Sequence, residues 1–305
     1  MKKIVISTAS FAESDKKPLE LLRAKGYEVI INPFKRKLSP TELVQLSGEA
    51  VGIIAGTEMI DGATLKKLPK VKVISRCGAG IDNIDLETAK ELGVNIFNTP
   101  DAPVTAVAEL AIALMIDLLR KVSWMDFQMH QGNWRKEMGN ILSGKKVGII
   151  GFGRIGTKVA EFLYSFGCKI GYHDPLVKYE TGSVQKMALA ELLQWSEIIT
   201  IHAAGKERLI GAKEISLMQR GSWIVNTSRG EIIDETALCD ALKDGYLAGA
   251  ALDVFLEEPY SGPLKDIPNV ILTPHIGSYA AESRVCMEME AAQNLIEDLE
   301  NMEEK

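Results

Sequence analysis

Short runs of nearly continuous apolar residues recur along the chain, separated by segments in which apolar positions return every three or four residues. In the first hundred residues the runs are KIVIST, YEVIIN, VGIIAG, VKVISR and VNIFN, and the segments between them include TELVQL and IDLETAKEL. A strand with one wet face alternates apolar and polar residues, whereas a parallel strand covered on both faces is apolar nearly throughout. The pattern therefore predicts parallel strands joined by helices, a doubly wound α/β arrangement. One long helix is predicted over residues 104–131, opening after Pro100 and Pro103, which suit a helix start. The loop QGNWRKEMGN then leads to a second series of runs: KVGIIG, KIGYHD, EIITIH, SWIVNTS, AGAALDVF and NVILTPH. Residues 278–300 read as a long amphipathic helix with an acidic end, placed to return to the first half.

Length agrees with two halves, since 305 residues correspond to about two domains of ~150 residues. With 46% hydrophobic and 25% charged residues the chain can bury sizeable cores. A net charge of -6 argues against nucleic acid or an anionic membrane as the main partner. Cys77, Cys168, Cys239 and Cys286 show no C-x-x-C spacing and make neither a disulfide framework nor a zinc site. They predict a reduced, cytoplasmic protein with no metal centre. The start MKKIVISTASF lacks the apolar core of a signal peptide. The longest apolar stretch, VAELAIALMIDLL, is broken by Glu109 and Asp117, so no membrane span is expected. The apolar residues of AELAIALMIDLL lie almost all round a helix, more than one core face uses, which predicts a homodimer.

The second half carries a cofactor fingerprint. Gly151, Gly153 and Gly156, in GFGRIG, follow the strand KVGII and open the helical stretch TKVAEFLYSFG. The next strand, KIGYHD, ends in Asp174, eighteen residues past Gly156. Glycines permit the tight turn and close backbone approach to a pyrophosphate, and a helix N-terminus offers unpaired N–H groups to it. An acidic residue at the end of the next strand accepts hydrogen bonds from the adenine ribose. No Lys or Arg follows Asp174 at once, so NAD is expected over NADP. A glycine-rich turn that binds no dinucleotide is the plain alternative.

Open α/β sheets bind ligands at the carboxyl ends of their strands. The polar residues there are His202, the Asn226–Gly230 run with Thr227 and Arg229, Asp253, Glu257, Glu258 and His275. Reduction of a 2-keto acid needs a group to hold the carboxylate, which an arginine fork does best. It also needs a proton donor in the histidine range and a carboxylate to orient that imidazole and favour its charged form. Arg229, His275 and Glu258 are the residue types for these tasks. On spacing alone, Arg229 could instead pair with Glu231 or Asp234, and His275 could simply end a strand.

The motifs GFGRIG, NTSRGEIIDETAL, GAALDVFLEEP and LTPHIGS, in this order, resemble the D-isomer-specific 2-hydroxyacid dehydrogenases. CGAGIDNIDLETAKELGVNIFNTP and VTAVAELAIALM in the first half are similar to that family's substrate-loop and interface-helix signatures. GAKEISLMQRGSWIVNTSRG is similar to its 3-phosphoglycerate dehydrogenase members. The resemblance implies a Rossmann-type NAD domain, residues 99–283, inserted into a flavodoxin-like substrate domain, residues 1–98 and 284–305, with substrate bound between them. It implies an NAD-dependent oxidoreductase moving a hydride to or from C2 of a small 2-hydroxy or 2-keto acid, such as 3-phosphoglycerate, hydroxypyruvate or glyoxylate. Arg229 would bind substrate, Glu258 support the histidine, and His275 serve as acid/base. Arg154 and Ile155 would approach the pyrophosphate, His202 would border the cofactor, Asp253 would meet the nicotinamide amide, and Thr227 and Ser278 would line the nicotinamide end. Backbone N–H groups of Cys77, Gly78, Ala79 and Gly80 would meet the substrate carboxylate. The last residue is Lys305, so the regulatory domains many relatives carry are not expected.

Three positions depart from the family pattern. His202-Ala203-Ala204-Gly205 replaces a His-x-Pro-Leu-Thr type loop, and Thr57 stands about where phosphoglycerate-type members place a phosphate-contacting arginine. Cys77 in the substrate loop reads as a small packing residue. Two other functions share the fold: an NAD-sensing corepressor, against which Arg229, Glu258 and His275 argue together, and hydride transfer on another acid such as formate or phosphite.

Overall fold

A computed structural model describes residues 1–177, 184–205 and 207–304. The chain forms two compact units, one of Met1–Pro103 with Ser278–Lys305 and one of Val104–Gly277.

In the first unit, strands β1 (Lys3–Ile6), β2 (Glu28–Ile31), β3 (Ala50–Ala55), β4 (Val73–Arg76) and β5 (Asn95–Asn98) form a parallel sheet of order β2-β1-β3-β4-β5. That is the flavodoxin-like order. Both faces are covered, which explains the unbroken apolar runs. Ile4, Ile6, Ile54 and Val73 pack with Met287, Leu295, Ile296 and Leu299 of the final helix, Ala281–Glu303. Ile53, Ala55 and Ile74 point the other way, against Leu43, Leu65 and Leu68. Each of the Ile, Leu, Val and Met side chains contributes roughly 1.5–3 kcal/mol on burial, as an upper bound. Polar starts locate the connecting helices: Ser39 and Glu42 form a reciprocal capping box, and the Asp85 carboxylate accepts the Thr88 N–H at 3.0 Å.

In the second unit, β6 (Lys146–Ile150), β7 (Lys169–His173), β8 (Val184–Lys186), β9 (Ile198–Ile201), β10 (Trp223–Asn226), β11 (Gly249–Leu252) and β12 (Val270–Leu272) form a parallel sheet of order β12-β11-β10-β9-β6-β7-β8. The order reverses between β6 and β9, the switch point of a Rossmann-type sheet. The edge strand β8 is not expected from the sequence, because Val-Gln-Lys offers no apolar run.

The single helix expected over 104–131 is two, Val104–Arg120 and Val122–His130. Lys121 between them is left-handed at φ 54°, and the Asp117 carboxylate accepts the Ser123 N–H at 2.8 Å in the first turn of the second helix. The first helix spends its apolar residues inside its own unit. Ala108, Ala111, Ile112, Leu114, Met115, Leu118 and Leu119 are buried there, with Leu110 and Ile116 packed partly against them. Uncovered apolar side chains lie downstream instead: Phe127 is 58% exposed, Trp134 80%, Met138 91% and Ile141 69%. Among the described residues no helix is long and apolar enough to cross a membrane.

Candidate active site

Strand register brings the sequence candidates of the second unit into one row. Ile150 pairs with His173 and Ile201, Asn226 with Ile201 and Leu252, and Leu252 with Leu272. The residues that follow these pairs are, in spatial order, Asp174, Gly151, His202, Thr227, Asp253 and Thr273. Parallel strands lie roughly 4.8 Å apart, so the four intervals from Asp174 to Asp253 span roughly 19 Å, a length suited to an extended dinucleotide.

The glycine turn has the shape its sequence implies. Gly151 leaves β6 at φ 88°, a conformation open to glycine. A β-carbon at Gly156 would overlap the Gly151 carbonyl oxygen, so the helix Arg154–Ser165 packs against the turn only with glycine there. Open space surrounds Gly153, which caps that helix without a side-chain acceptor, leaving first-turn N–H groups for a phosphate. Arg154 and Ile155 are the first two residues of this turn. The Asp174 carboxylate accepts N–H groups of Phe152 at 2.8 Å, Leu176 at 2.8 Å and Val177 at 2.9 Å. Burial pushes its pKa up, but these backbone donors outweigh that and hold it below the ordinary value.

His202 bridges two hydroxyls: Nε2 lies 2.9 Å from Thr200 Oγ1 and Nδ1 3.3 Å from Thr227 Oγ1. Burial lowers its pKa to about 3, so it is neutral at working pH and not a general acid. The bridge ties the Thr227 hydroxyl to the His202 ring.

Arg229 stands on a turn organised by Asn226. The Asn226 amide oxygen accepts the Ser228 N–H at 3.0 Å and hydroxyl at 2.8 Å, while its NH2 donates to the Arg229 carbonyl at 2.9 Å. The guanidinium donates to the Ser228 carbonyl at 2.7 Å. Gly230, next in the chain, presses on the backbone of Phe255 and Leu256, where a β-carbon would overlap. The Arg229 turn therefore abuts the segment that carries Glu258. Phe255 donates its N–H to Glu258 Oε1 at 3.2 Å, and Glu235 accepts the Leu256 N–H at 2.8 Å. Glu257 is exposed. His275 Nδ1 lies 2.9 Å from Glu258 Oε2 and 3.1 Å from Oε1. The two side chains are 38% and 36% exposed, so the pair is open to solvent and to a small ligand.

Asp253 is buried, and its carboxylate accepts the Thr273 hydroxyl at 2.6 Å and the N–H groups of Ile276 and Gly277, each at 2.8 Å. Burial raises its pKa, against the pull of these donors and of His275. Sequence reasoning assigned no part to Thr273, Thr200 or Glu235, whose hydrogen-bond partners lie up to twenty-one residues away or across neighbouring strands.

In the first unit the loop Cys77–Gly80 follows β4. The Cys77 N–H bonds the Ala55 carbonyl at 2.8 Å, and the Gly78 N–H donates to the Thr99 hydroxyl at 2.7 Å. Those two donors are already engaged, which leaves the N–H groups of Ala79 and Gly80 for a ligand. Cys77 is buried, and burial pushes its thiol up to about 11, as a packing residue requires. Thr57 is exposed after β3, and the neighbouring Glu58 turns inward, accepting from the Ser7 hydroxyl and from the Gly56 N–H at 3.0 Å. Ser278 is half-buried at the start of the unit's second segment.

Residues 112–277 match the family described as D-isomer specific 2-hydroxyacid dehydrogenase, NAD binding domain. The chain is 40% identical over 257 residues to a glyoxylate reductase of Thermococcus litoralis, covering 79% of this chain and 77% of that protein. It is 36% identical over 299 residues to D-3-phosphoglycerate dehydrogenase of Escherichia coli, covering 93% and 72%. The solved structure of the TT0316 protein from Thermus thermophilus superposes with a TM-score of 0.90 at 32% identity, covering 98% of this chain and 97% of that one. With its glycine turn, acidic strand end and Glu258–His275 pair on one sheet edge, the chain belongs to the D-isomer specific 2-hydroxyacid dehydrogenase family, NAD-dependent oxidoreductases that transfer a hydride between nicotinamide and C2 of a small 2-hydroxy or 2-keto acid.

Proposed function

We propose that this chain interconverts short, unphosphorylated 2-keto and 2-hydroxy acids, glyoxylate or hydroxypyruvate being the class, and that Arg229, Glu258 and His275 carry the chemistry. The observation that carries the reading is the Glu258–His275 contact at 2.9 Å, open to ligand and beside the Arg229 turn. The Val104–Gly277 unit is the NAD domain and the other the substrate domain. Gly151, Gly153, Arg154, Ile155 and Gly156 would hold the pyrophosphate, Asp174 the adenine ribose, and His202, Thr227, Asp253 and Ser278 the nicotinamide end. NADH, when bound, supplies the hydride to C2 of the keto acid.

The chain's own residues do the rest. Arg229 presents a planar fork to the substrate carboxylate and carbonyl, binding the acid and polarising the C=O bond. His275 turns Nδ1 to Glu258, so Nε2 is the nitrogen that faces substrate and gives its proton to the carbonyl oxygen. Glu258 accepts from Nδ1 and so fixes the ring's orientation. In the reverse direction neutral His275 takes the hydroxyl proton. The Cys77–Gly80 loop would offer a carboxylate the N–H groups of Ala79 and Gly80. An unphosphorylated substrate is supported by Thr57 and the inward acid Glu58, neither of which offers a cation after β3.

The functional protein is a homodimer. Phe127, Trp134, Met138 and Ile141 are exposed apolar side chains that a second copy would bury. The cytoplasm is the location, supported by four free thiols in Cys77, Cys168, Cys239 and Cys286. The test of function is a panel of 2-keto acids with purified protein and NADH. Turnover of glyoxylate or hydroxypyruvate above all phosphorylated acids is expected. Turnover of 3-phosphohydroxypyruvate alone would refute the substrate class, and a monomeric mass in light scattering would refute the dimer.

A further inference from the structure

The edge strand β8 brings a cation to the end of the second sheet where Asp174 stands. In the β7–β8 pair Lys186 lies opposite Tyr172. Its ammonium donates to the Val177 carbonyl at 2.6 Å and lies 6.0 Å from the centre of the Tyr172 ring. Val177 is held at both ends of its backbone, since its N–H donates to Asp174 Oδ1 at 2.9 Å. A second path joins the same two charges. The Tyr172 ring stacks on Phe152 with centroids 4.1 Å apart, and the Phe152 N–H donates to Asp174 Oδ2 at 2.8 Å. Lys186 and Asp174 are thus linked twice, through Val177 and through the Tyr172–Phe152 pair.

We infer that Lys186 is a specificity-determining residue for the cofactor: its charge, tied to Asp174 through Val177, moderates how strongly the carboxylate rejects a phosphate on the adenine ribose. The inference rests on the reading of Asp174 as the ribose acceptor and gives that end of the site a second charge, of opposite sign. A hydrogen bond to a carbonyl leaves an ammonium its charge and two further donors. Burial pushes the Asp174 pKa up, and the backbone donors and then Lys186 hold it below its ordinary value, so the carboxylate feels this cation. Asp174 by itself would set the preference for NADH by repulsion. With Lys186 in place a 2′-phosphate meets a carboxylate and an ammonium, and NADPH is disfavoured less than the carboxylate alone dictates. Lys186 reaches this position across a strand pair, not along the chain, so the sequence around Asp174 does not announce it.

The test is kcat/KM for NADH and for NADPH in the full chain with its best keto acid, for wild type, Lys186→Met, Lys186→Gln and Lys186→Arg. Methionine keeps an apolar stem beside Tyr172 and removes both the charge and the hydrogen bond. Glutamine removes the charge and keeps a donor for the Val177 carbonyl. Arginine keeps both. A cation within about one Debye length of a phosphate changes binding by roughly 3- to 10-fold at physiological salt. The preference for NADH should widen by that factor in Lys186→Met and Lys186→Gln alike, chiefly through KM for NADPH, and stay near wild type in Lys186→Arg. Added salt should narrow the difference between Lys186→Gln and wild type, because screening weakens a charge and spares a hydrogen bond. AMP with and without a 2′-phosphate, each competed against NADH in a fluorescence titration, should give the same order without turnover. Lys186→Gln and Lys186→Arg carry the test if Lys186→Met does not fold. The inference is overturned if the charge-removing variants keep the wild-type preference, or if Lys186→Met weakens both cofactors equally and Lys186→Gln restores both, the mark of a purely structural hydrogen bond. Asp174→Ala separates the two levels. An unchanged cofactor ratio in Asp174→Ala sinks the ribose reading and the role of Lys186 with it. A ratio that narrows in Asp174→Ala beside a wild-type ratio in Lys186→Gln sinks the role of Lys186 alone.

Discussion

Replacing Asp174 by alanine tests the cofactor end of the site, and its size follows from the geometry. The carboxylate is anchored by three backbone N–H groups at 2.8–2.9 Å, and its pKa lies below the ordinary range, so it is charged at any working pH. A charge–charge contact at about 4 Å is worth ~4 kcal/mol near a protein surface. Asp174 is half-buried and screened by salt, which reduces the penalty against a 2′-phosphate to about 1.4–2.8 kcal/mol, or roughly 10- to 10²-fold in favour of NADH. Loss of the ribose hydrogen bonds should cost NADH about 1.5–3 kcal/mol in kcat/KM, while NADPH is relieved of repulsion. The gap between the two cofactors should therefore nearly close. The same substitution strips the acceptor from Phe152, Leu176 and Val177, so Tm should drop as well, and kinetics must be taken well below it. The assay is kcat/KM for NADH and NADPH with one keto acid at fixed ionic strength. Wild-type protein that uses NADPH as well as NADH would refute the reasoning, as would an Asp174→Ala protein with an unchanged ratio.

Other outcomes follow from single features. Arg229→Lys should raise KM for the keto acid with little change in NADH affinity, because an ammonium cannot form the planar two-pronged contact; equal losses in both would contradict that role. A thiol reagent at mildly alkaline pH should modify exposed Cys286 promptly, while Cys77 and Cys168, both pushed up to about 11 by burial, react only on unfolding, as peptide mapping would show. His202, with its pKa lowered to about 3 by burial, leaves the unfolded chain binding a proton that the native chain does not, between the ordinary histidine value of 6.5 and 3. Stability should therefore fall as pH drops through that window. His202→Gln should flatten this dependence in denaturant melts and leave the pH profile of kcat unmoved; a shifted kcat limb would implicate His202 in proton transfer.

Much of this was legible in the sequence because it depends on local rules. GFGRIG after KVGII fixes a strand, a turn that needs glycine and a helix, and Asp174 ends the next strand by simple order. The apolar runs mark parallel strands because both sheet faces are covered. What was illegible depends on distant groups. Nothing in Lys121 announces a left-handed break, since the turn is set by Asp117 reaching the Ser123 N–H. The edge strand β8 has no apolar signal because its Val-Gln-Lys residues are only half covered or exposed. The pairing of Glu258 with His275 is chemically readable, but its 2.9 Å distance requires β11 and β12 to lie in register. The engagement of the Gly78 N–H by the Thr99 hydroxyl is illegible for the same reason, since its partner lies 21 residues further along the chain.

The central claim is that His275, oriented by Glu258, exchanges the proton that accompanies hydride transfer at C2. The most direct measurement is kcat for keto-acid reduction at saturating NADH, for wild type and His275→Ala, from about pH 5 to about pH 9, with NADH affinity measured alongside. A general acid typically contributes 10²–10⁴-fold, so His275→Ala should lose on that order in kcat, lose the alkaline limb, and keep its NADH affinity. A variant that retains nearly full kcat across the range would contradict the account.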